Sequence, residues 1–422
     1  MDSHFSQTEN ADYLEFPPPV VPLGPQPSLQ YLDLLGRHTR EDRTPSVLDA
    51  SGRLQVTSGR AALTLALQCC DIGAGAKVLL PAYHCEAMVA PVMWRSAEPV
   101  FYRVRPDTKI DFDDLERKCG PKSRALLITH YFGFPQDLNR VREFCSAKRL
   151  ILIEDCAHAF FGTYKGRALG TFGDYAIASS MKFFPVFDGG ILLSDAKQMP
   201  GVHLKSGGGL FELKAFMAPW EHAAFYHGRS VTGRFLQGLV KFKDGIWWAV
   251  KWGARGREDG SWTPQSSEGG YGIDAQWINV SASRVSRLIV ARSRYGSIVR
   301  ARRRNFLKLH QGLKELSGTK ALFRTLPEGV CPFVYPLYVV DAPSVFRRLK
   351  RNGVPIWRFG EYLHPAIDDQ LDPVSVDLSK RLLQFPCHQD LDDDAIGWIV
   401  RRVREAVCEQ SGGAPTSEKP RS

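Results

Sequence analysis

The chain has 422 residues, 44% of them hydrophobic and 24% charged, with a formal net charge of +10. This is the balance of an ordinary soluble globular protein, which excludes a disordered or collagen-like chain, and the length calls for two domains or one large domain with a smaller appendix. The positive charge favours anionic partners without choosing among phosphorylated metabolites, nucleic acid and acidic membrane. Nine cysteines with no CxxC or Cys/His spacing argue against a zinc site or a disulfide framework, so no metal is expected and a reducing cytoplasm fits best.

The start, "MDSHFSQTEN", lacks the basic residues and apolar stretch of a secretory signal, and the chain has no run of about 18 uninterrupted apolar residues. Export and membrane insertion are therefore not expected. The prolines of "FPPPVVP" favour extended backbone, so residues 1–21 read as a flexible arm before a large domain over 22–300. From Thr57, apolar runs alternate with amphipathic stretches. "KVLLPA", "PVFYRV", "ALLITHY" and "LILIEDC" predict strands, and "RAALTLALQCC" and "DLNRVREFCSAK" predict helices between them. That alternation predicts an α/β fold with a parallel sheet covered on both faces, which gathers ligands at the carboxyl ends of its strands.

The pattern lapses between Gly201 and Gly272, a segment that includes "FKDGIWWAVKWGARGR". It reads as an irregular insertion burying aromatics; the sharper alternative is a surface for peripheral membrane contact or for a partner, because Trp beside Lys and Arg suits an interface. "SRVSRLIVARSRYGSIVRARRRNFLKLHQGL" predicts one long amphipathic helix bridging to a small α+β domain over 301–409. Its arginines are explained by a solvated helix face, so no nucleic-acid binding is expected. Residues 410–422 read as a disordered tail.

Three stretches carry candidate chemistry. In "TSGRAAL" a Ser-Gly precedes a strong helix, whose first N–H groups suit a phosphate, although most helices begin with a similar cap. In "LILIEDCAHAFFG" a strand runs into Glu154, Asp155 and His158, where a carboxylate would face a ligand or, more plainly, cap a turn beside a core histidine. In "GTFGDYAIASSMKFFPVFDGG" Lys182 lies among Met181, Phe183 and Phe184, either as a desolvated nucleophilic amine or as a lysine snorkelling to water. One ligand explains all three together. Pyridoxal phosphate needs an amine for its aldehyde, an acid opposite its ring nitrogen and donors for its phosphate.

From "SGRAALTLAL" through "KVLLPAYHC", "EDCAHAFFGTYKGRALGTFGD" and "SSMKFFPVFDGG" to the closing "RLLQFPCHQDLDDDAIGWIVRRV", the chain resembles the nucleotide-sugar aminotransferases of the DegT/StrS type. The resemblance covers roughly Pro22 to Val407. It implies the fold type I architecture, a large domain with a mostly parallel seven-stranded sheet and a small C-terminal domain, and a homodimer with sites at the subunit interface. It also implies amino transfer from an amino acid, expected to be glutamate, to a nucleotide-linked keto sugar, in polysaccharide or secondary-metabolite biosynthesis.

Residue by residue, the resemblance makes Lys182 the cofactor-bearing lysine and proton carrier, Asp155 the partner of the ring nitrogen, and His158 the partner of the cofactor's phenolic oxygen. Gly59 and Arg60 match the backbone phosphate donors, and Ser179 and Ser180 compete for the phosphate serine. Where many members place an aromatic ring over the cofactor, strict counting gives Cys85; His84 is preferred for that role, with Tyr83 next. Asp188 stands where Glu is usual, and "QWINVSAS" replaces the segment that reaches a neighbour's cofactor. Arg358 in "GVPIWRFGEYLHP" is expected to hold a diphosphate or the donor carboxylate, or else to be an ordinary surface arginine. Two alternatives stay open: a non-catalytic cofactor-binding regulator or scaffold, and a cofactor-dependent sugar dehydratase. The retained lysine speaks against the dehydratase, because related dehydratases carry histidine there.

Overall fold

The structure is a computed structural model that describes residues 16–25, 44–194, 199, 201–227, 263–264, 267 and 272–408. The first half builds a layered α/β unit. Its strands are β1 (Gly52–Val56), β2 (Lys77–Pro81), β3 (Glu98–Tyr102), β4 (Ser123–Thr129) and β5 (Ile151–Asp155), then a short hairpin of β6 (Thr163–Tyr164) and β7 (Arg167–Ala168), then β8 (Tyr175–Ser179) and β9 (Gly190–Ser194). Between the first five strands run α1 (Gly59–Cys69), α2 (Glu86–Trp94), α3 (Phe112–Lys118) and α4 (Leu138–Lys148). Seven strands form one sheet in the order β1-β9-β8-β5-β4-β2-β3.

All pairings from β3 to β8 are parallel, while β9 is antiparallel to both β8 and β1, so six strands point one way and β9 alone points back. Burial is continuous along β9 and nearly so along β2, β4 and β5, as expected for strands covered on both faces. Helix α1 buries every residue from Ala61 to Leu67, which places it as an inner layer against β8 and β9.

The second half continues with α5 (Gly209–His227), α6 (Ala275–Ile278), α7 (Arg284–Arg292) and α8 (Tyr295–Leu313). It ends with β10 (Thr319–Ala321), β11 (Val334–Val339), α9 (Ala342–Arg351), α10 (Pro373–Arg381), β12 (Leu382–Pro386) and α11 (Asp393–Cys408). Strands β10, β11 and β12 make a separate antiparallel sheet. A single apolar cluster runs through both sheets, joining Leu126 and Leu192 of the large one to Leu337 and Leu383 of the small one.

Two expectations change. The basic stretch expected as one long helix is two, α7 and α8, separated at Ser293 and Arg294. Ser293 leaves helical geometry (φ −71°, ψ 139°) and its hydroxyl donates back to the Ile289 carbonyl at 2.6 Å, offering the chain a bond that competes with the next helical turn. Residues 209–227, read as irregular, form a 19-residue helix, because Ala, Leu, Glu, Lys and Met there outweigh the aromatics. The run "FKDGIWWAVKWGARGR" and the tail 410–422 lie outside the described residues.

The end of the proline-rich arm is held. Val20 N–H donates to the Gly353 carbonyl at 2.8 Å, and the Pro22 carbonyl lies 2.9 Å from His388 Nε2. Residue 300, expected as a domain border, falls within α8, a helix that packs on both α11 and β11.

Candidate active site

Parallel pairing aligns the carboxyl ends of β2, β4, β5 and β8, and β1 joins them because two antiparallel steps restore its direction. These strand ends and the turns beyond them enclose one cavity of about 250 Å³. Its wall takes Ser58, Gly59 and Arg60 after β1, Cys85, Ala87 and Met88 after β2, and Thr129 from the tip of β4. Asp155, Ala157 and His158 come from β5 and the turn beyond it, and Ser179, Met181 and Lys182 from β8 and the turn after it. Phe359, from the second half of the chain, closes one side.

Lys182 ends a single 3₁₀ turn (Ser180–Lys182), and its Nζ sits 5.5 Å from the centroid of the Phe333 ring. Burial pushes its amine below the ordinary lysine range, against the pull of Cys85 and Asp155, which favour the charged form. Asp155 is the last residue of β5 and is 5% exposed. Burial raises its carboxyl, and the charge of Lys182 and a 2.8 Å hydrogen bond from Ala157 N–H oppose that rise. The two groups are thus electrostatic neighbours in one cavity.

His158 is clamped between the parallel rings of Phe132 and Phe333, at centroid distances of 5.7 and 4.7 Å, with Phe359 edge-on at 5.0 Å. Burial, with Lys182 adding to it, holds the imidazole well below its usual pKa and so neutral. Its Nδ1 accepts a 3.4 Å contact from Phe132 N–H, which leaves the proton on Nε2.

The phosphate-directed residues divide. Ser58 caps α1, its hydroxyl accepting from Ala61 N–H at 3.2 Å, and Gly59 and Arg60 are the first-turn residues whose amides lie at the positive end of the helix. The Arg60 side chain turns to the Gly272 carbonyl at 2.8 Å, so its backbone, not its guanidinium, belongs to the helix start. Helix α1 sits directly on Gly190, where a Cβ would come within 2.0 Å of the Ser58 carbonyl oxygen. This close approach explains the Gly-Gly after the lysine. Ser179 lines the cavity. Ser180 is not among the lining residues; its N–H bonds the Gly189 carbonyl at 2.9 Å and its Cβ packs against Gly189.

Tyr83, His84 and Arg358 are not brought into the cavity wall either. Tyr83 is fully buried, stacked 5.4 Å from Tyr131 and edge-on to Phe359. His84 spends Nδ1 on the Ala82 carbonyl at 2.8 Å and Nε2 on His364 N–H at 3.0 Å, while its ring stacks on Phe101. The preference for His84 over Cys85 is therefore corrected: Cys85, the N-cap residue of α2, is the one that faces the cavity. Arg358 pairs with Glu361 and lies 4.7 Å over the Phe346 ring, one residue short of the lining Phe359.

Several residues named from the sequence take structural roles that it did not assign. Glu154, fully buried, accepts from His130 Nε2 (3.0 Å), Gly170 N–H (3.2 Å), Phe172 N–H (2.7 Å) and Gly173 N–H (2.6 Å). Among the described residues His130, Glu154 and Cys156 bring three potential metal-ligating atoms together, but these four donors fill the carboxylate's lone pairs, making it a loop anchor. Asp188 and the "QWINVSAS" segment, two separate departures in sequence, meet in space. Asp188 accepts from Ser283 N–H (2.8 Å), Ser283 Oγ (2.6 Å) and Ser286 Oγ (2.6 Å).

A family model, the DegT/DnrJ/EryC1/StrS aminotransferase family, matches residues 46–200, which hold every cavity residue named above except Phe359. Over those residues the chain is similar to this family. Among curated proteins the chain is similar to the dTDP-4-dehydro-2,3,6-trideoxy-D-glucose 4-aminotransferase of Saccharopolyspora spinosa, 27% identical over 83% of each chain. It is also similar to the L-glutamine:2-deoxy-scyllo-inosose aminotransferase of Streptomyces kanamyceticus, 34% identical over 36% of this chain and 40% of that one. Among solved structures, Spr1654 of Streptococcus pneumoniae in its PLP form superposes with a TM-score of 0.63 at 17% identity, over 92% of this chain and 99% of that one. The likeness places the mixed seven-stranded sheet in the fold type I aminotransferase architecture.

Proposed function

We propose that the chain is a pyridoxal-phosphate-dependent aminotransferase that moves an amino group from glutamate to a keto sugar carried on a nucleoside diphosphate. The observation that carries this reading is the shared cavity of Lys182 and Asp155, with each group's ionisation biased by the other. The residues present fit the cofactor: an amine and an acid on one cavity, first-turn amides of α1 seated on a glycine that leaves no room for a Cβ, and the Ser179 hydroxyl beside them. When bound, the cofactor would supply an electrophilic aldehyde and a cationic ring that draws electrons from the reacting carbon.

The chain's own residues do the rest. Asp155, buried and ionised beside a cationic ring, would keep the proton on that ring's nitrogen. His158 would offer its Nε2–H to an oxygen at a fixed angle, because its ring is held between two others. Lys182, biased towards the neutral amine, would take a proton at Nζ from the substrate carbon and later give it up again. Phe359 would help exclude water.

A homodimer completes the reading, with the resemblance to the nucleotide-sugar aminotransferases as its support. A reducing cytoplasm is supported by nine free cysteines, and no helix among the described residues is long and apolar enough to cross a membrane. Peripheral membrane contact through 201–272 finds some support in Leu210, Leu213 and Phe216, exposed on α5.

The test is direct. Purified protein is loaded with pyridoxal phosphate, reduced with borohydride and peptide-mapped, and then supplied with glutamate and a panel of nucleotide-linked ketoses. Attachment at Lys182 and 2-oxoglutarate release with at least one ketose are expected. Attachment without any amino transfer would favour the regulator or scaffold, and no attachment at Lys182 would sink the proposal.

A further inference from the structure

We infer that Arg302 is a positioning residue for Lys182, and that with Gln389 it makes the placement of the amine depend on how the small sheet is seated. This rests on the reading of Lys182 as the reacting amine. Arg302 lies on α8 and is fully buried. A guanidinium is costly to bury unless its donors are directed at acceptors, and these are. Nη2 donates to the Lys182 carbonyl at 3.0 Å, Nη1 to the Phe333 carbonyl at 3.1 Å, and Nε to Gln389 Oε1 at 3.2 Å. The guanidinium also lies 4.4 Å from the centroid of the Phe183 ring.

Gln389 completes the clamp by donating Nε2–H to the Phe183 carbonyl at 2.9 Å. Two consecutive carbonyls, at the point where the turn bearing the lysine ends, are thereby tied to α8 and to the segment just after β12. The third tie explains why this matters for chemistry. Phe333, whose backbone Arg302 holds, puts its ring under Lys182 Nζ at 5.5 Å and against the His158 ring at 4.7 Å. One planar fork thus fixes the lysine's backbone, the aromatic floor beneath its amine, and indirectly the neighbouring imidazole. Its influence is one of position: the charges that bias the Lys182 amine are those of Cys85 and Asp155. A lysine at 302 would keep the charge but lose the fork.

The experiment uses the full chain and two probes. Pyridoxamine phosphate has no aldehyde, so its affinity reports the cavity without the lysine's chemistry. Pyridoxal phosphate reports the amine: Lys182 Nζ adds to the aldehyde carbon, water leaves, and borohydride with peptide mapping counts the linked residue. For Arg302→Lys we expect pyridoxamine phosphate to bind within about twofold of the unaltered chain, while attachment at Lys182 slows by about tenfold, the cost of a modest misplacement of a reacting group. Gln389→Leu, which keeps the arginine, should slow attachment less, by about threefold, and it carries the test should Arg302→Lys not fold. Attachment as fast as in the unaltered chain, in a variant that still binds pyridoxamine phosphate, would overturn the clamp and leave the aminotransferase reading standing. Failure of the unaltered chain to attach at Lys182 would instead remove that reading, and the clamp's role with it.

Discussion

At Lys182 two influences oppose each other, burial favouring the neutral amine and the neighbours Asp155 and Cys85 favouring the ammonium, and burial is the larger. The amine should therefore become nucleophilic at a pH below the ordinary lysine value of about 10.4. This fixes the sign of a substitution. Asp155→Asn removes a negative charge that holds the proton on Nζ, so the folded pKa should fall further and the amine should react at still lower pH. Reductive methylation with formaldehyde across pH, mapped at Lys182 by mass spectrometry, would show the midpoint moving down; an unmoved or raised midpoint would mean that the two groups do not feel each other. At the same scale Cys85 gives the cavity wall a thiol, so much of the aromatic surface around it comes from Phe359 and the stack around His158.

Among elements, the seating of α1 on β9 decides whether first-turn amides face the cavity. Gly190 permits that seating: a Cβ would lie 2.0 Å from the Ser58 carbonyl oxygen and 2.6 Å from Gly59 N, both backbone atoms that cannot swing aside. Gly190→Ala should push the start of α1 outward, costing about 2 kcal/mol of stability through overpacking. Its affinity for pyridoxamine phosphate should fall more than its stability implies, because the amides are displaced as well. Denaturant unfolding and ligand titration on the same protein would separate the two effects, and an unchanged affinity would mean that the helix start does not contact the phosphate. The Glu154 anchor works similarly for the loop before β8, binding Gly170, Phe172 and Gly173 while β8 returns beside β5.

Over the whole molecule the two sheets meet at the site. Phe359 presents its edge to Tyr83, Tyr131, Phe132 and His158 at centroid distances of 5.1, 5.8, 6.1 and 5.0 Å. Phe359→Ala should cost about 3 kcal/mol, the lower end for a buried phenylalanine, and should weaken small-ring ligands by opening the cavity from the small-sheet side. A stability loss within a few tenths of a kcal/mol, measured by denaturant unfolding, would mean that the small sheet does not brace the site through this ring.

How much of this was legible in the sequence depends on the range of the interactions involved. Apolar runs of four to six residues marked β2, β4 and β5, and a carboxylate or lysine just past a strand's end was already placed at the ligand-binding edge of a parallel sheet. Asp155, His158 and Lys182 could be proposed for that reason, whereas Ser179 came only with the family resemblance, which left Ser180 competing with it. The residues after β2 were not, because which of Tyr83, His84 and Cys85 faces the cavity turns on contacts such as the one between His84 and His364, 280 positions away. Arg302 was hidden in "RARRRN", where its neighbours read as a solvated face, and its burial exists only once α8, Phe333 and Gln389 converge. Local pattern determined the strands, the first helices and the chemical identity of the reacting groups, since periodicity and residue type act within a few neighbours. Only the tertiary structure decided which side chains share a cavity and what holds the lysine in place, because those contacts join segments with no local correlation in the chain.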